Sequence, residues 1–328
     1  MLGTIALTWV NYIGIKTAAT LNNALTLIIG LGGVLLITGG LFNGETANMA
    51  PFFVGGMKGF LGVMIMTPFM FVGFNVIPQA AEEMNLPHKS IGKILIVSVM
   101  MAVFFYMLVI LAVSASLAPN EMNLDSLVTA DAMSKVFGGA WAGKALIMAG
   151  LAGIITSWIG FYVGGSRAIY AMAKANILPE FLGKIHPKYQ TPCNAVLLIG
   201  IATFFAPLFG RKMLVWLVDA GGLGIQIAYF LVCIAFVILR KKEPDMARPF
   251  RAGNGSWIGW VAVVLGFLFI LAFLPGSPAA LVWPNEWLLV GVWYILGAIL
   301  FFWAKGKYGT EKMDKNMHDH VFGDKHIA

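Results

Sequence analysis

Long apolar runs separated by short polar segments make up most of the chain. About 20 apolar residues suffice to cross the hydrocarbon core of a bilayer as an α-helix, and eight runs predict such helices. They cover residues 21–42, 59–79, 91–116, 144–173, 195–209, 213–239, 257–274 and 287–303. A shorter apolar run at 2–14 predicts part of a further helix. We therefore expect one all-α transmembrane domain over residues 1–304 and a charged, disordered tail over residues 305–328.

The composition excludes a soluble domain. Hydrophobic residues make up 59% of the chain and charged residues only 11%, which is typical of integral membrane proteins. Cys193 and Cys233 each lie in an apolar run, so we expect small buried residues rather than a disulfide or a metal pair. The sequence has no phosphate-binding loop, catalytic triad or zinc-ligand spacing. This predicts that the protein is not an enzyme and uses no cofactor.

The formal net charge of +7 is distributed unevenly across the predicted membrane. Along the predicted spans, 17 of the 22 Lys and Arg residues fall on one side. We call it the basic side, and it includes Lys16, Arg167, Lys188 and the C-terminal tail. Lys and Arg are enriched in cytoplasmic loops of membrane proteins. The pattern thus predicts a protein of the cell membrane with a cytoplasmic C-terminus, and its basic character indicates the bilayer rather than nucleic acid as a partner.

The second predicted span contains a helix break. Gly73 has low helix propensity, and Pro78 cannot donate a backbone hydrogen bond and clashes with the preceding turn. Asn75 lies between them in a run of Phe, Val and Ile. Unpaired backbone groups within a membrane occur only where they are buried in protein or line an aqueous cavity. The break therefore predicts a binding site, and a kinked packing helix is the alternative interpretation.

Three motifs occur in order along the chain. The first combines residues 71–75 with residues 80–83, the second combines residues 156–158, 166–172 and 176–179, and the third combines residues 239–245 with residues 248–249. They resemble the broken sixth helix, the eighth helix and the linker after the tenth helix of the amino acid–polyamine–organocation permeases. The resemblance extends to about Trp303.

This resemblance implies a partial LeuT-like inverted-repeat transporter bundle that begins near the family's fourth helix. In the family, the first helix offers backbone N–H groups to the substrate carboxylate, and the sixth helix receives the amino group. By this resemblance, the substrate contacts Phe71, Val72, Gly73, Phe74 and Asn75, with the two rings acting by cation–π contact or as a gate. The carboxylate-binding helix is expected to be missing from this chain.

The resemblance leaves the coupling ion, H⁺ or Na⁺, open. Many relatives have Asp at the position of Asn75, and some have Lys in the fifth helix, where this chain has Ile29. Coupling through either group is therefore not supported. Thr156 and Ser157 are adjacent hydroxyls in a predicted span. They could ligate Na⁺ together with backbone carbonyls, or bond back to their own helix.

Charged side chains near the ends of spans are candidate gate residues. Glu82 and Glu83 could pair with Arg167 in an inner gate, or lie solvated at a helix end. Asp219 lies within its span, where a carboxylate is costly. It is expected either in a gate or as the cap of a helix that restarts at residues 220–224.

The tail contains His318, His320, His326 and Asp319. We predict no metal site there, because nothing in the sequence indicates that these side chains are held in place.

These observations predict a secondary active transporter that moves amino acids or related amines by alternating access. The alternatives are a truncated, non-transporting fragment and a membrane scaffold subunit that lacks the first three helices. The sequence does not define which amino acid or amine is carried, whether transport is uptake or exchange, or the oligomeric state.

Overall fold

The computed structural model describes residues 1–53, 55–84, 86–123, 125–246, 248–253, 255–277 and 279–322. Within these ranges the regular structure is helical, without strands, which confirms the predicted all-α class. The α-helices are α1 (Leu2–Ile13), α2 (Ile15–Asn43), α3 (Gly56–Met66), α4 (Val76–Gln79), α5 (His88–Ser116), α6 (Val128–Val136), α7 (Ala140–Lys174), α8 (Cys193–Phe205), α9 (Gly210–Lys242), α10 (Trp257–Leu271), α11 (Asn285–Tyr308) and α12 (Thr310–Phe322).

Five helical segments in the described part of the chain are long and apolar enough to cross a membrane. They are α2, α5, α7, the stretch Cys193–Lys242 that joins α8 to α9, and α11, while α1 and α10 are shorter apolar helices. Many large apolar side chains on these helices are exposed, among them Leu31, Phe104 and Trp293. Exposed apolar helix surfaces are expected where a helix faces lipid tails.

Helix α7 is the central helix of the fold and packs against α1, α2, α4, α6, α8 and α12. Its Ile159 and Val163 belong to a buried apolar cluster with residues of α1 and α2. The hydroxyl of Tyr162, which is 1% exposed, is 2.8 Å from the Thr8 hydroxyl of α1 and 2.8 Å from the Thr203 hydroxyl of α8. These bonds satisfy a buried phenol and join α1 and α8 to α7.

The polar segment predicted as a loop at residues 117–143 contains a helix, α6. Its Ala132 and Met133 are buried against Leu36 of α2 and Ala142 of α7. The loop prediction is wrong at α6 because its apolar residues Ala130, Ala132 and Met133 are buried and attach one helical face to the bundle.

An ion pair outside the membrane-spanning segments joins α6 to the loop before it. The Lys135 ammonium group donates to Glu121 Oε2 at 2.6 Å, and the backbone N–H of Ala118 donates to the same oxygen at 3.0 Å. Both bonds favour the charged carboxylate. The pKa of Glu121 is therefore lower than its ordinary value, chiefly because of the bond from Lys135.

The C-terminal tail is helical rather than disordered over α12. Met313 is 7% exposed, and the Asn316 side-chain amide donates to Asn176 Oδ1 just beyond the end of α7. Met313 and Asn316 are three residues apart and so share one helix face, which packs against α7. The prediction of disorder is wrong here because this face has a partner that the tail's charged composition does not reveal.

We expect the Asn316→Ala variant to loosen α12. The substitution removes the hydrogen bond to Asn176 Oδ1. Because Asn176 is only 4% exposed, loss of this donor should lower the stability of the α12 contact by about 1–3 kcal/mol. Hydrogen exchange followed by mass spectrometry should be faster across α12. The matched control is Asp314→Ala, because Asp314 is exposed on the same helix. Equal acceleration in both variants would contradict the docking of α12 through Asn316.

Candidate functional site

The predicted helix break lies between α3 and α4. After α3 the chain forms a 3-10 turn over Thr67–Phe71, and a turn at residues 72–75 leads into α4. Gly73 has a φ of +123°, which residues with a side chain rarely adopt. A Cβ at Gly73 would meet nothing within 4 Å. Backbone conformation, and not close packing, therefore requires glycine at this position.

Asn75 stabilises the turn and attaches it to α9. Its Oδ1 accepts the backbone N–H of Gly73 at 3.2 Å and the hydroxyl of Tyr229 at 3.3 Å. The Tyr229 ring also contacts the ring of Phe74, with centroids 5.3 Å apart. Tyr229 is absent from the predicted site, since a lone tyrosine in an apolar span gives no signal that it meets a distant turn.

Phe71 attaches the other side of the break to α5. Its ring meets Tyr106 edge-on, with centroids 5.4 Å apart, and the Tyr106 hydroxyl donates to the Met70 carbonyl at 3.2 Å. The two aromatic residues of the break thus lie against different helices, Phe71 against α5 and Phe74 against α9.

A cavity of about 310 Å³, here called the central cavity, lies beside the break. Its lining combines the break with the hydroxyl pair of α7 and with polar residues of α2: Asn22, Thr26, Val72, Gly73, Val76, Thr156, Ser157, Gly160 and Phe161. The structure thus brings Val72 and Gly73 together with Thr156 and Ser157. The side chains of Phe71, Phe74 and Asn75 lie outside this lining.

Asn22 and Thr26 are cavity residues that the sequence prediction misses. They are four residues apart and so lie on one face of α2. Two polar side chains at that spacing in an apolar span are a signal that was available in the sequence, because polar groups within a membrane are costly and cluster at functional sites.

The Thr156 hydroxyl bonds back to its own helix, which is the alternative to a Na⁺ ligand that the sequence left open. Its Oγ1 donates to the Gly153 carbonyl at 2.8 Å, and Thr26 Oγ1 donates to the Asn22 carbonyl at 2.8 Å. A hydroxyl that donates in this way keeps its two lone pairs. Both oxygens can therefore still accept a hydrogen bond from an ammonium group or ligate a cation in the central cavity.

Glu83 and Arg167 form a bidentate ion pair on the basic side of the break. Arg167 Nε is 2.5 Å from Glu83 Oε1, Nη2 is 3.0 Å from Oε2, and Nη1 donates to Ser166 Oγ at 2.8 Å. The Arg167 side chain is 8% exposed, so these three bonds offset the cost of desolvating it. The side chain of Glu82 lies outside the described part of the structure. A gating role for the pair stays a prediction.

Asp219 lies inside α9, which is continuous through residues 220–224. The interpretation of Asp219 as a cap is therefore wrong, because no helix restarts there. Asp219 lines a second cavity of about 640 Å³, the outer cavity, together with Val72 and Glu286. Glu286 is 2% exposed, its Oε2 accepts the backbone N–H of Val282 at 2.6 Å, and its carboxyl group faces that of Asp219.

Known proteins resemble the chain along most of its length. A family model described as "Amino acid permease" matches residues 2–301. The branched-chain amino acid permease BcaP of Bacillus subtilis is 26% identical over 92% of this chain and 63% of its own length. The methylthioribose transporter of the same organism is 26% identical over 90% of this chain and 61% of its own length. Cationic amino acid transporter 7, chloroplastic, of Arabidopsis thaliana is 25% identical over 90% of this chain and 49% of its own length.

The chain spans about half to two thirds of the length of these curated relatives. The matched family and these relatives are permeases and transporters, which confirms the prediction that the chain is not an enzyme. The family and the long apolar helices together show that it is an integral membrane protein.

We expect Gly73→Ala to disturb the central cavity. A side chain at a φ of +123° introduces about 1–3 kcal/mol of backbone strain. We expect the turn to relieve this strain by a change in backbone conformation that moves the cavity-lining residues Val72 and Gly73. Gly276→Ala is the matched control, because Gly276 has a φ of +96° and its Cβ would also meet nothing within 4 Å. Thermal unfolding should show similar losses of stability in the two variants.

The two glycine variants should differ in transport by reconstituted protein. We expect uptake to fall about tenfold in Gly73→Ala, as a rise of about 1.4 kcal/mol in the barrier would produce, and to change little in Gly276→Ala. Equal uptake by the two variants would show that the turn at Gly73 does not shape the site.

Proposed function

Because the chain belongs to the amino acid permease family, we propose that it is a secondary transporter that carries amino acids or related amines across the membrane by alternating access. The observation that carries this proposal is the central cavity. There the break at Val72 and Gly73 meets polar side chains of α2 and α7. A broken helix at a polar cavity is the typical substrate site of secondary transporters.

The central cavity suits the amino group of a small substrate. The Thr156 and Thr26 hydroxyls and the Asn22 amide oxygen are acceptors that can replace the water around an ammonium group. A volume of about 310 Å³ is at the lower end of the range of about 300–1,000 Å³ for small-molecule sites. This favours a small amino acid over a bulky one. The names of the relatives include branched-chain and cationic amino acids, so the substrate panel below contains both classes.

The coupling ion in this proposal is Na⁺ at Thr156 and Ser157 or H⁺ at a carboxyl group elsewhere. Asn75 carries no titratable proton, and its Oδ1 already accepts two hydrogen bonds. Asp219 and Glu286 are the carboxylates among the described residues that line the outer cavity with Val72. We assign the outer gate to Asp219 and the inner gate to the Glu83–Arg167 pair. In this proposal the basic side faces the cytoplasm of the cell membrane.

The proposal is tested by uptake into proteoliposomes that contain the purified chain. Radiolabelled leucine, serine, arginine and lysine are supplied with an inward Na⁺ gradient, an inward proton gradient, or neither. Saturable uptake of one substrate class above that of protein-free liposomes is expected, and the gradient that raises it identifies the coupling ion. Absence of uptake across the panel, by protein that unfolds cooperatively on heating, would overturn the transport proposal.

Two neighbouring asparagines give a matched pair for the site. Asn22 lines the central cavity, whereas Asn23 is exposed and absent from its lining. Asn22→Ala removes an acceptor for the substrate, so we expect KM to rise about tenfold, as loss of a hydrogen bond to a charged group predicts. Asn23→Ala should keep the wild-type KM. The same KM in both variants would exclude Asn22 from the substrate site.

A further inference from the structure

A third cavity lies on the basic side of the molecule, below the Glu83–Arg167 ion pair. Its volume is about 610 Å³, and we call it the basic cavity. Its lining includes Lys16 at the start of α2, Lys188 in the loop after α7, and the paired Arg167 and Glu83. Both lysines are exposed, so the cavity can be reached from the basic side.

The charges that line this cavity do not balance. Glu83 is the one carboxylate among its described lining residues, and both of its oxygens bind Arg167. No ion pair of Lys16 or Lys188 with a carboxylate is found in the described part of the chain. The first turn of α2 also contains no acidic residue. Two lysines therefore line one cavity without a carboxylate partner among the described residues.

The loop that carries Lys188 is held in place by several bonds. His186 Nδ1 accepts the backbone N–H groups of Lys188 and Tyr189, at 3.2 and 3.3 Å. The His186 ring contacts the rings of Tyr189 and Tyr12, with centroids 4.7 and 5.4 Å away. Thr191 Oγ1 donates to the Tyr12 carbonyl at 2.9 Å. The backbone beneath Lys188 is thus fixed against α1, and Lys16 follows α1 directly at the start of α2.

We propose that the basic cavity binds an oxyanion, either a carboxylate or a phosphate group, between Lys16 and Lys188. Two ammonium groups favour such a ligand through charge-assisted hydrogen bonds, and because their backbone segments are already fixed, only the two side chains must be ordered when it binds. The group can belong to a soluble anion or to an anionic lipid headgroup, which carry the same chemistry. This site is distinct from the central cavity, and its existence does not depend on transport.

Glu83 acts as an internal competitor for the bound anion. Its carboxylate occupies Nε and Nη2 of Arg167, the third cation that lines the cavity. An oxyanion that takes over part of this contact must displace Glu83. The proposal therefore predicts opposite effects of removing the lysine charges and removing the glutamate charge.

The test is a titration of inorganic phosphate against the thermal unfolding of the chain in nanodiscs of phosphatidylcholine, at constant ionic strength set with chloride. A ligand that binds only the folded state raises the unfolding temperature with a saturable dependence on its concentration. General stabilisation by phosphate does not saturate in this way and is the same in every variant. We expect a saturable component in the wild type.

Four variants identify the cavity. Lys16→Gln and Lys188→Gln should each raise the half-saturating phosphate concentration about tenfold, as loss of a charge-assisted hydrogen bond predicts. Lys184→Gln removes the same charge from an exposed lysine of the basic side that does not line the cavity, and it should behave as the wild type. Glu83→Gln should lower the half-saturating concentration, because Arg167 becomes free to bind phosphate. A variant that binds more tightly cannot be explained by misfolding.

The net charge is controlled by Glu243→Gln, which adds the same charge on the basic side at an exposed position outside the cavity. It should not tighten phosphate binding. Repeating the titration in nanodiscs that contain phosphatidylglycerol distinguishes the two sources. If the lipid headgroup is a ligand of the same site, the wild-type curve shifts to higher phosphate concentrations and the curve of Lys188→Gln does not. An unchanged wild-type curve identifies a soluble anion as the ligand.

Two results would overturn the proposal. The first is the absence of a saturable phosphate effect in the wild type and in Glu83→Gln in both lipid compositions. The second is an equal weakening by Lys184→Gln and Lys188→Gln, which would show that the lysines contribute only to the general charge of this face.

Discussion

Polar backbone groups inside a membrane must find partners within the protein, and the turn at residues 72–75 is where this requirement shapes the structure most. Asn75 Oδ1 takes the Gly73 N–H that a regular helix would bond to a carbonyl. The helix restarts when the N–H groups of Val76 and Ile77 bond to the carbonyls of Gly73 and Phe74, at 3.0 and 3.2 Å. The neutral amide of Asn75 thus has a structural task that an apolar residue could not perform, and its bond to Tyr229 joins this turn to α9.

The segment from α3 to Glu83 borders all three cavities. Its first part, including Val72, lines the outer cavity, Val72 and Gly73 line the central cavity, and Glu83 lines the basic cavity. Because Val72 belongs to two linings, a small rotation of the turn would change both cavities together. Packed interfaces tend to switch between discrete arrangements rather than deform continuously. A single segment with contacts to α5, α7 and α9 is therefore a suitable element for the alternating access proposed here.

The sequence predicts the helical class and the break, because each depends on local composition or on a motif, and it gives the pairing of Glu83 with Arg167 as one of two interpretations. It does not predict Tyr229 as part of the site, since that role arises from a contact with Asn75, 154 positions away. The polar spacing of Asn22 and Thr26 is visible in the sequence, but the sequence does not show that these residues line one cavity with the break. The order in α12 is missed for the same reason, because Met313 and Asn316 become informative only when the end of α7 lies beside them. For Asp219 the error is the opposite one, because a local sequence pattern predicts a feature that the structure does not have. The glycines after it suggest a helix start, but α9 is continuous there and packs against α10 and α11.

The Glu83–Arg167 pair connects the anion site to the proposed gate. Separating the pair leaves Arg167, at 8% exposure, as an unpaired buried charge, and the loss of one partner of a buried pair is strongly unfavourable. An anion bound between Lys16 and Lys188 can supply a replacement partner, and so lowers the cost of separating Arg167 from Glu83. A ligand shifts a conformational equilibrium only through its different affinity for the two states. An oxyanion in the basic cavity would bind the open state more tightly, because it gains the Arg167 contact only when the pair is separated. It would therefore favour opening on the basic side.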